Sequence, residues 1–331
     1  MTAELVAAAP DPALLREALV DAGAPDPGPD VAIERLAGGA SRESWTVGGR
    51  WVLKRDHPTE TDPPMTAAKE LRALVAARDA GVPVPEPLCA EPAGGRFGTA
   101  GYVAALVPGT SSPRRVLALD DGARLAVAQD LGAALGALAG VDASDVVDVP
   151  AGGAVGAVLA DLAEELDAVA PERAVLAVAL RVLELHPPPE ADPVLVHGDF
   201  RLGNVLVDGG RVRAIIDWEF CRAGDPAEDL GFLCLRPWRF GADGRRAGGL
   251  AGLEPVLDAY RAACGPRLAA LVDPRRVAYW EAVGQLRWGL YCLRHAAGYA
   301  EGRHRHLERA VLGRRIAEVE WDLLDLVEEL A

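Results

Sequence analysis

Asp199, Asn204 and Asp217 are the residues whose types and spacing point most directly to chemistry. They lie in Val194-Leu-Val-His-Gly-Asp-Phe-Arg-Leu-Gly-Asn-Val-Leu-Val-Asp-Gly-Gly-Arg-Val-Arg-Ala-Ile-Ile-Asp-Trp-Glu219. Val205–Val207 and Val212–Ile216 read as two apolar strands meeting at Asp208-Gly209-Gly210-Arg211. With Gly209-Gly210 as a two-residue turn, Asp208 faces Arg211 and Asn204 faces Ile215. Asp217 then lies diagonally across from Asn204 on the same face, roughly 7–8 Å away. Two oxygen ligands so placed can close on one Mg²⁺, which takes hard oxygens and fills its other positions with water and phosphate. A slip of one residue in the turn would send the two to opposite faces. Asp199 sits in a glycine-containing loop after the strand Leu195–His197, where its carboxylate can accept a hydroxyl proton beside a metal-held phosphate. That is the division of labour phosphoryl transfer needs.

The elements that must position these groups fall into two textures. From the start, a short amphipathic helix (Pro12–Ala22) precedes strand-like pieces at Val31–Leu36, Ser44–Val47 and Arg50–Arg55, the last two joined by the Gly48-Gly49 turn. Thr66–Ala80 has helical spacing and stops at Gly81. Three prolines keep Val82–Leu88 extended, and Tyr102–Val107 is a further strand ending at Pro108-Gly109. Beyond it the chain turns helical, at Leu119–Ala139, Val155–Val169, Arg173–Leu185, Pro226–Leu235, Leu250–Cys264, Pro274–Ala300 and His304–Leu330. The expected class is α+β with two lobes: a small β-sheet lobe over residues 1–108, and a larger, mostly helical lobe over 109–331 carrying the catalytic loop and acceptor pocket. A cleft between lobes is where ligands usually sit.

Bulk composition narrows the field. Half of the 331 residues are hydrophobic and 25% are charged, as in a globular protein. A net charge of −15 argues against a broad nucleic-acid surface. Five cysteines at no metal-like spacing read as reduced thiols. The acidic start lacks a signal-peptide pattern and no apolar run is long enough to span a bilayer, so the expectation is a cytoplasmic protein without a membrane partner. Of the 34 Lys and Arg residues only Lys54 and Lys69 are lysine. A lysine retained against such a bias fits a need for a compact ammonium, and Lys54 lies on a strand alternating between core and cleft.

His197-Gly198-Asp199-Phe-Arg-Leu-Gly-Asn204, Ile216-Asp217-Trp218-Glu219 and Gly224-Asp225-Pro226-Ala-Glu-Asp229 together resemble the aminoglycoside phosphotransferase/choline kinase-like family. Within it they look closest to the subgroup related to kinase domains fused to acyl-CoA dehydrogenases. The resemblance implies a protein-kinase-like fold, ATP and Mg²⁺ as cofactors, and phosphoryl transfer to a hydroxylated small molecule. By it, Asp199 is the catalytic base and Asn204 and Asp217 are metal ligands, while Asp229 and His197 support the catalytic loop. Lys54 resembles the lysine that contacts the ATP phosphates, and Glu70 the acid that pairs with it, with Glu60 a weaker competitor. Gly38-Gly39-Ala40-Ser41-Arg42 would turn amides, from Gly39 among others, and the Ser41 hydroxyl towards phosphate. Ala105 and Val107, on the crossover strand, would read adenine. A catalytically silent nucleotide- or metabolite-binding relative is the alternative, and a homodimer is left open.

The acceptor is not legible. Candidates are Arg201, Glu219, Trp238 and Arg239 within Arg236–Phe240, and Trp280, Trp288 and Tyr291. Arginines 236, 239, 245 and 246 would suit an anionic acceptor such as a coenzyme A thioester; the acidic overall charge would suit a cationic aminoglycoside. The two point in opposite directions.

Overall fold

The computed structural model describes residues 9–36, 42–57, 65–149, 153–303 and 307–331. Its first part contains α1 (Pro12–Asp21), β1 (Ile33–Arg35), β2 (Arg42–Val47), β3 (Trp51–Asp56), α2 (Ala67–Asp79), β4 (Pro87–Glu91) and β5 (Gly101–Ala105). The strands form one antiparallel sheet in the order β1-β2-β3-β5-β4. Side-chain alternation gives the sheet two faces. Trp45, Val47, Leu53 and Val103 bury one against Leu15 and Leu19 of α1. Lys54 and Tyr102 are cross-strand partners on β3 and β5, and both meet Glu70 of α2. The Thr66 side chain caps α2 by accepting from the Lys69 N–H, and Gly81 ends that segment at φ +85°.

The second part contains α3 (Pro113–Leu117), α4 (Asp121–Leu138), α5 (Ala154–Val169), α6 (Ala174–Leu185), β6 (Val194–Val196), β7 (Val205–Asp208), β8 (Arg211–Ile215), β9 (Arg222–Gly224) and α7 (Glu228–Cys234). It continues with α8 (Leu253–Ala263), α9 (Pro266–Leu271), α10 (Pro274–Ala300), α11 (Leu307–Leu312) and α12 (Ile316–Leu330). Its core runs from Leu131 and Leu135 through Trp218 to Trp280 and Leu286, and continues beneath α2 and β5 through Leu74 and Tyr102. Helices α4 and α8 come close because Gly132 and Gly136 lack side chains: a Cβ on them would stand 2.2 and 2.4 Å from the Val256 and Tyr260 carbonyl oxygens. Backbone bonds anchor the crossover on both sides, Leu106 N to Arg50 O and Thr110 N to Val207 O, and Ile215 N donates to the Pro83 carbonyl at 2.8 Å between the lobes. The molecule is thus a two-lobed α+β fold of kinase-like topology. No helix among the described residues is long and apolar enough to cross a membrane.

Three expectations need correction. The helix expected over His304–Leu330 is α11, a tight turn at Gly313–Arg315 and α12; a mid-helix glycine favours such a break. β9 and α3 carry no strong sequence pattern and were not expected. The β7–β8 hairpin does start with Asp208 facing Arg211, but a bulge between Leu206 and Val207 shifts the pairing to Val205 opposite Ile215. Asn204 therefore meets Ile216, whose N–H donates to its carbonyl at 2.9 Å.

Candidate active site

The loop after β6 is held by buried groups from neighbouring elements. His197 is fully buried. Asp229, in the first turn of α7, accepts the His197 and Gly198 N–H groups at 2.7 and 2.9 Å. The His197 ring donates from Nε2 to the Ile216 carbonyl at 3.0 Å and accepts at Nδ1 from the Asp199 N–H at 3.2 Å. One imidazole so links the start of the loop to the end of β8. Gly198 has φ +83°, and a Cβ there would stand 2.3 Å from the Phe220 carbonyl oxygen, so glycine is required twice over. Burial pushes the Asp229 carboxyl up, while the two amides it accepts act in the opposite sense.

The Asp199 carboxylate is fixed by two donors. Arg201 Nε donates to Oδ1 and Oδ2 at 3.0 and 3.2 Å, and Asn204 Nδ2 donates to Oδ2 at 2.7 Å and to the Asp199 carbonyl at 2.9 Å. Both hydrogen bonds of the Asn204 side chain come from Nδ2, which leaves Oδ1 without a hydrogen-bond partner among the described residues. Asp217 follows β8 with φ +71°, a conformation uncommon for a non-glycine residue and enriched at active sites. Its Oδ1 meets Lys54 Nζ at 2.7 Å. Burial opposes ionisation of Asp217, but the charge and hydrogen bond of Lys54, helped by Arg201, outweigh it, and the carboxyl lies below its ordinary value. Asn204 Oδ1 and Asp217 Oδ2 are hard oxygens of the kind Mg²⁺ takes. Among the described residues no group of three or more His, Cys, Asp or Glu could hold a metal by itself. This donor set fits a cation whose remaining ligands are phosphate and water.

On the sheet side, Lys54 Nζ lies 3.6 Å from Glu70 Oε1, which also accepts from the Tyr102 hydroxyl at 2.8 Å. The tighter partner of Glu70 is Arg42, which donates to Oε2, to Asp56 Oδ1 at 2.7 Å and to the Met65 carbonyl. Arg42 and Glu70 are both buried. The sequence reading left Arg42 at the end of a glycine turn and missed this role. Counting outward from Gly48-Gly49 as a two-residue turn sets Arg42 opposite Arg55, but the turn also takes in Arg50, and β2 sets Arg42 opposite Asp56. The Ala105 N–H is already given to the Glu86 carbonyl, which removes it as an adenine contact; the Val107 N–H has no hydrogen-bond partner among the described residues. Gly39, Ser41 and Glu60 lie outside the described residues.

The acceptor candidates separate. Arg201 Cζ lies 5.1 Å over the Trp238 ring, Trp238 packs against Trp288 at 5.0 Å, and Trp288 stacks on Tyr291 at 5.4 Å. The row starts at Arg201, which bonds Asp199, and its last member, Tyr291, still feels the Asp199 charge. Arg239 does not join it: Nε donates to the Cys234 carbonyl and Nη2 to Glu281, which also holds Arg246. Arg236 is taken by Asp243 and Asp322. Trp280 is 1% exposed and belongs to the core. Glu219 is buried, and its charge acts on the Tyr102 hydroxyl together with that of Asp217, which puts it at the lobe junction.

Two lobes, a glycine-dependent catalytic-type loop and a lysine crossing between lobes to a carboxylate define a kinase-like phosphotransferase fold. The chain belongs to the phosphotransferase enzyme family, whose model matches residues 32–271. Among solved structures, a candidate aminoglycoside phosphotransferase of Ralstonia eutropha is similar over 97% of this chain and 99% of its own, with a TM-score of 0.75 at 20% identity. A choline/ethanolamine kinase family protein of Mesorhizobium loti matches over 96% and 99%, with a TM-score of 0.59 at 22% identity. Among curated proteins, mouse acyl-CoA dehydrogenase family member 10 is 44% identical over 55 residues, which are 16% of this chain and 5% of that protein. Chicken acyl-CoA dehydrogenase family member 11 is 40% identical over 48 residues, 14% of this chain and 6% of that protein. The matched stretches are small parts of those proteins.

Proposed function

We propose that the protein transfers the γ-phosphoryl group of ATP to a hydroxyl of a small molecule. The observation that carries this reading is the meeting of Lys54 and Asp217 at 2.7 Å from opposite lobes, beside an Asp199 carboxylate oriented by Asn204 and Arg201. Lys54 holds the phosphates, kept in reach by Glu70, and the Val107 N–H binds the adenine edge. Asn204 Oδ1 and Asp217 would hold Mg²⁺, which when bound neutralises charge on the phosphates. Asp199 accepts the proton of the attacking hydroxyl, and its two side-chain donors keep the carboxylate aimed before the acceptor arrives. His197 and Asp229 hold the loop backbone and touch no substrate.

The subgroup related to acyl-CoA-dehydrogenase-fused kinase domains is part of this proposal. It is supported by the short curated matches and by the His197–Asp229 motifs.

Incubation with γ-labelled ATP, Mg²⁺ and a panel of hydroxylated metabolites tests the reading. Label should move to a hydroxyl, and Asp199→Asn should lower kcat by about a hundred- to ten-thousand-fold with the fold intact. Undiminished transfer by Asp199→Asn would remove Asp199 from the chemistry.

A further inference from the structure

The chain carries a net charge of −15, yet guanidinium groups gather at Asp199, at the neighbouring Gly198 and at Tyr291. Arg201 bonds Asp199 itself. Arg222 lies against Gly198, where an added Cβ would be 2.6 Å from its Nη1; it donates to the Phe220 carbonyl at 3.3 Å and to Glu228. Arg287 of α10 donates to the same Glu228 oxygen at 3.1 Å. One turn and two turns further along α10, Tyr291 and Arg294 follow on the same face. Arg294 is paired with Glu165 at 2.7 Å, and Arg309 of α11 lies 2.5 Å from His295 Nδ1. The charges of Arg309, Arg294 and Asp199 all act on the Tyr291 hydroxyl, which burial pushes up. Asp217 and Asp229 balance Arg201 and Arg222 around the loop, whereas Arg287, Arg294 and Arg309 of α10 and α11 meet two carboxylates, Glu228 and Glu165, the first of them shared with Arg222.

The positive excess is felt within the wall. Burial, followed by the Arg222 charge, lowers Arg287 from its ordinary value. Such a cluster is relieved by an anion, and arginine forks suit carboxylate and phosphate. Between the arginines runs the row Trp238, Trp288 and Tyr291. Both indole Nε1 donors in it are buried without a hydrogen-bond partner, which is unusual unless something else supplies the acceptor. α10 and α11 also lie beyond residues 32–271, the span matched by the family model. The α10 and α11 part of this wall therefore lies outside the matched region, while Arg201, Arg222 and Trp238 lie within it.

Resting on the phosphotransferase reading, we infer that the hydroxyl compound accepted at Asp199 carries a carboxylate or phosphate group, held by the arginine and aromatic wall of α10 and α11. Arginines 236, 239 and 246, which the sequence offered for such a role, are taken by acids elsewhere. A polycationic amino sugar would bring ammonium groups against Arg287, Arg294 and Arg309.

Equilibrium binding measured without nucleotide or metal tests this, so that acceptor charge and phosphoryl transfer fail separately. The probes are glycerol 3-phosphate, 3-hydroxybutyrate and kanamycin, each titrated into wild type and into the double variant Arg294→Gln/Arg309→Gln. At least one anionic probe should bind more tightly than kanamycin, and the double variant should weaken it about tenfold with Mg·ATP affinity unchanged. Kanamycin binding best, neither anion binding, or an anion bound equally well by the double variant would each overturn the inference. Failure of Mg·ATP to bind wild type would instead strike the phosphotransferase reading.

Discussion

The two sides of the cleft are held by different means. On the helical side, backbone carries the load: Asp229 grips two amides, His197 grips a third and a carbonyl, and Asn204 reaches five residues back to Asp199. On the sheet side, side chains hold one another. Arg42, Glu70, Tyr102 and Lys54 form a chain of charge-assisted bonds, and Lys54 then spans 163 positions to Asp217. A backbone-held loop is rigid before any ligand arrives. An ion-paired set can exchange partners, which suits a lysine and an aspartate that would have to release each other to take phosphate and metal.

Removing Arg42 gives the sharpest contrast. Arg42→Met leaves the buried Glu70 short of its main partner and should cost about 3–5 kcal/mol, read by urea denaturation. A loss below about 1 kcal/mol would mean Lys54 alone satisfies Glu70. On the other side, Asp229→Asn replaces an acceptor by a donor and leaves one loop amide unmatched. It should cost about 1–3 kcal/mol and lower kcat more than it raises the KM for ATP. Equal effects on both would show that the loop and the nucleotide grip move together. Lys54→Met should change stability least, because Asp217 is a third exposed and its ion pair is screened, while nucleotide affinity falls sharply.

Acid separates the sides further. Asp217 has a depressed pKa in the folded protein, so its contribution is present above the unfolded carboxylate value, about 3.9. It is lost as pH falls through the folded value. Stability curves of wild type and Lys54→Met should converge below about pH 4; a constant gap would show that Lys54 acts through something other than Asp217.

The same contrast explains what could be read from the residues. The two-lobed α+β class and the short-range motif from His197 to Asp217 were legible because glycine turns and apolar alternation are local signals. The hairpin register was not, because the bulge in β7–β8 leaves no residue signature; the positive φ of Asp217 turns its side chain to Lys54 all the same. Arg42 escaped because its partners are 14, 23 and 28 positions away. On α10, Trp288 and Tyr291 stood out in the sequence, but Arg287 and Arg294 escaped because they look like the charged face of any amphipathic helix until Glu228 and Glu165 are brought beside them. Arg239 misled for the converse reason: in sequence an arginine next to a tryptophan looks like a binding pair, and only the fold shows Glu281 claiming it.

Titrating a non-hydrolysable ATP analogue into the protein with and without Mg²⁺, in wild type and in Asp217→Asn, tests most directly whether Lys54 and Asp217 exchange each other for phosphate and metal. Wild type should bind more tightly with Mg²⁺, and Asp217→Asn should keep metal-free binding but lose the Mg²⁺ effect. Mg²⁺-independent binding by wild type, or a full Mg²⁺ effect in Asp217→Asn, would contradict the account.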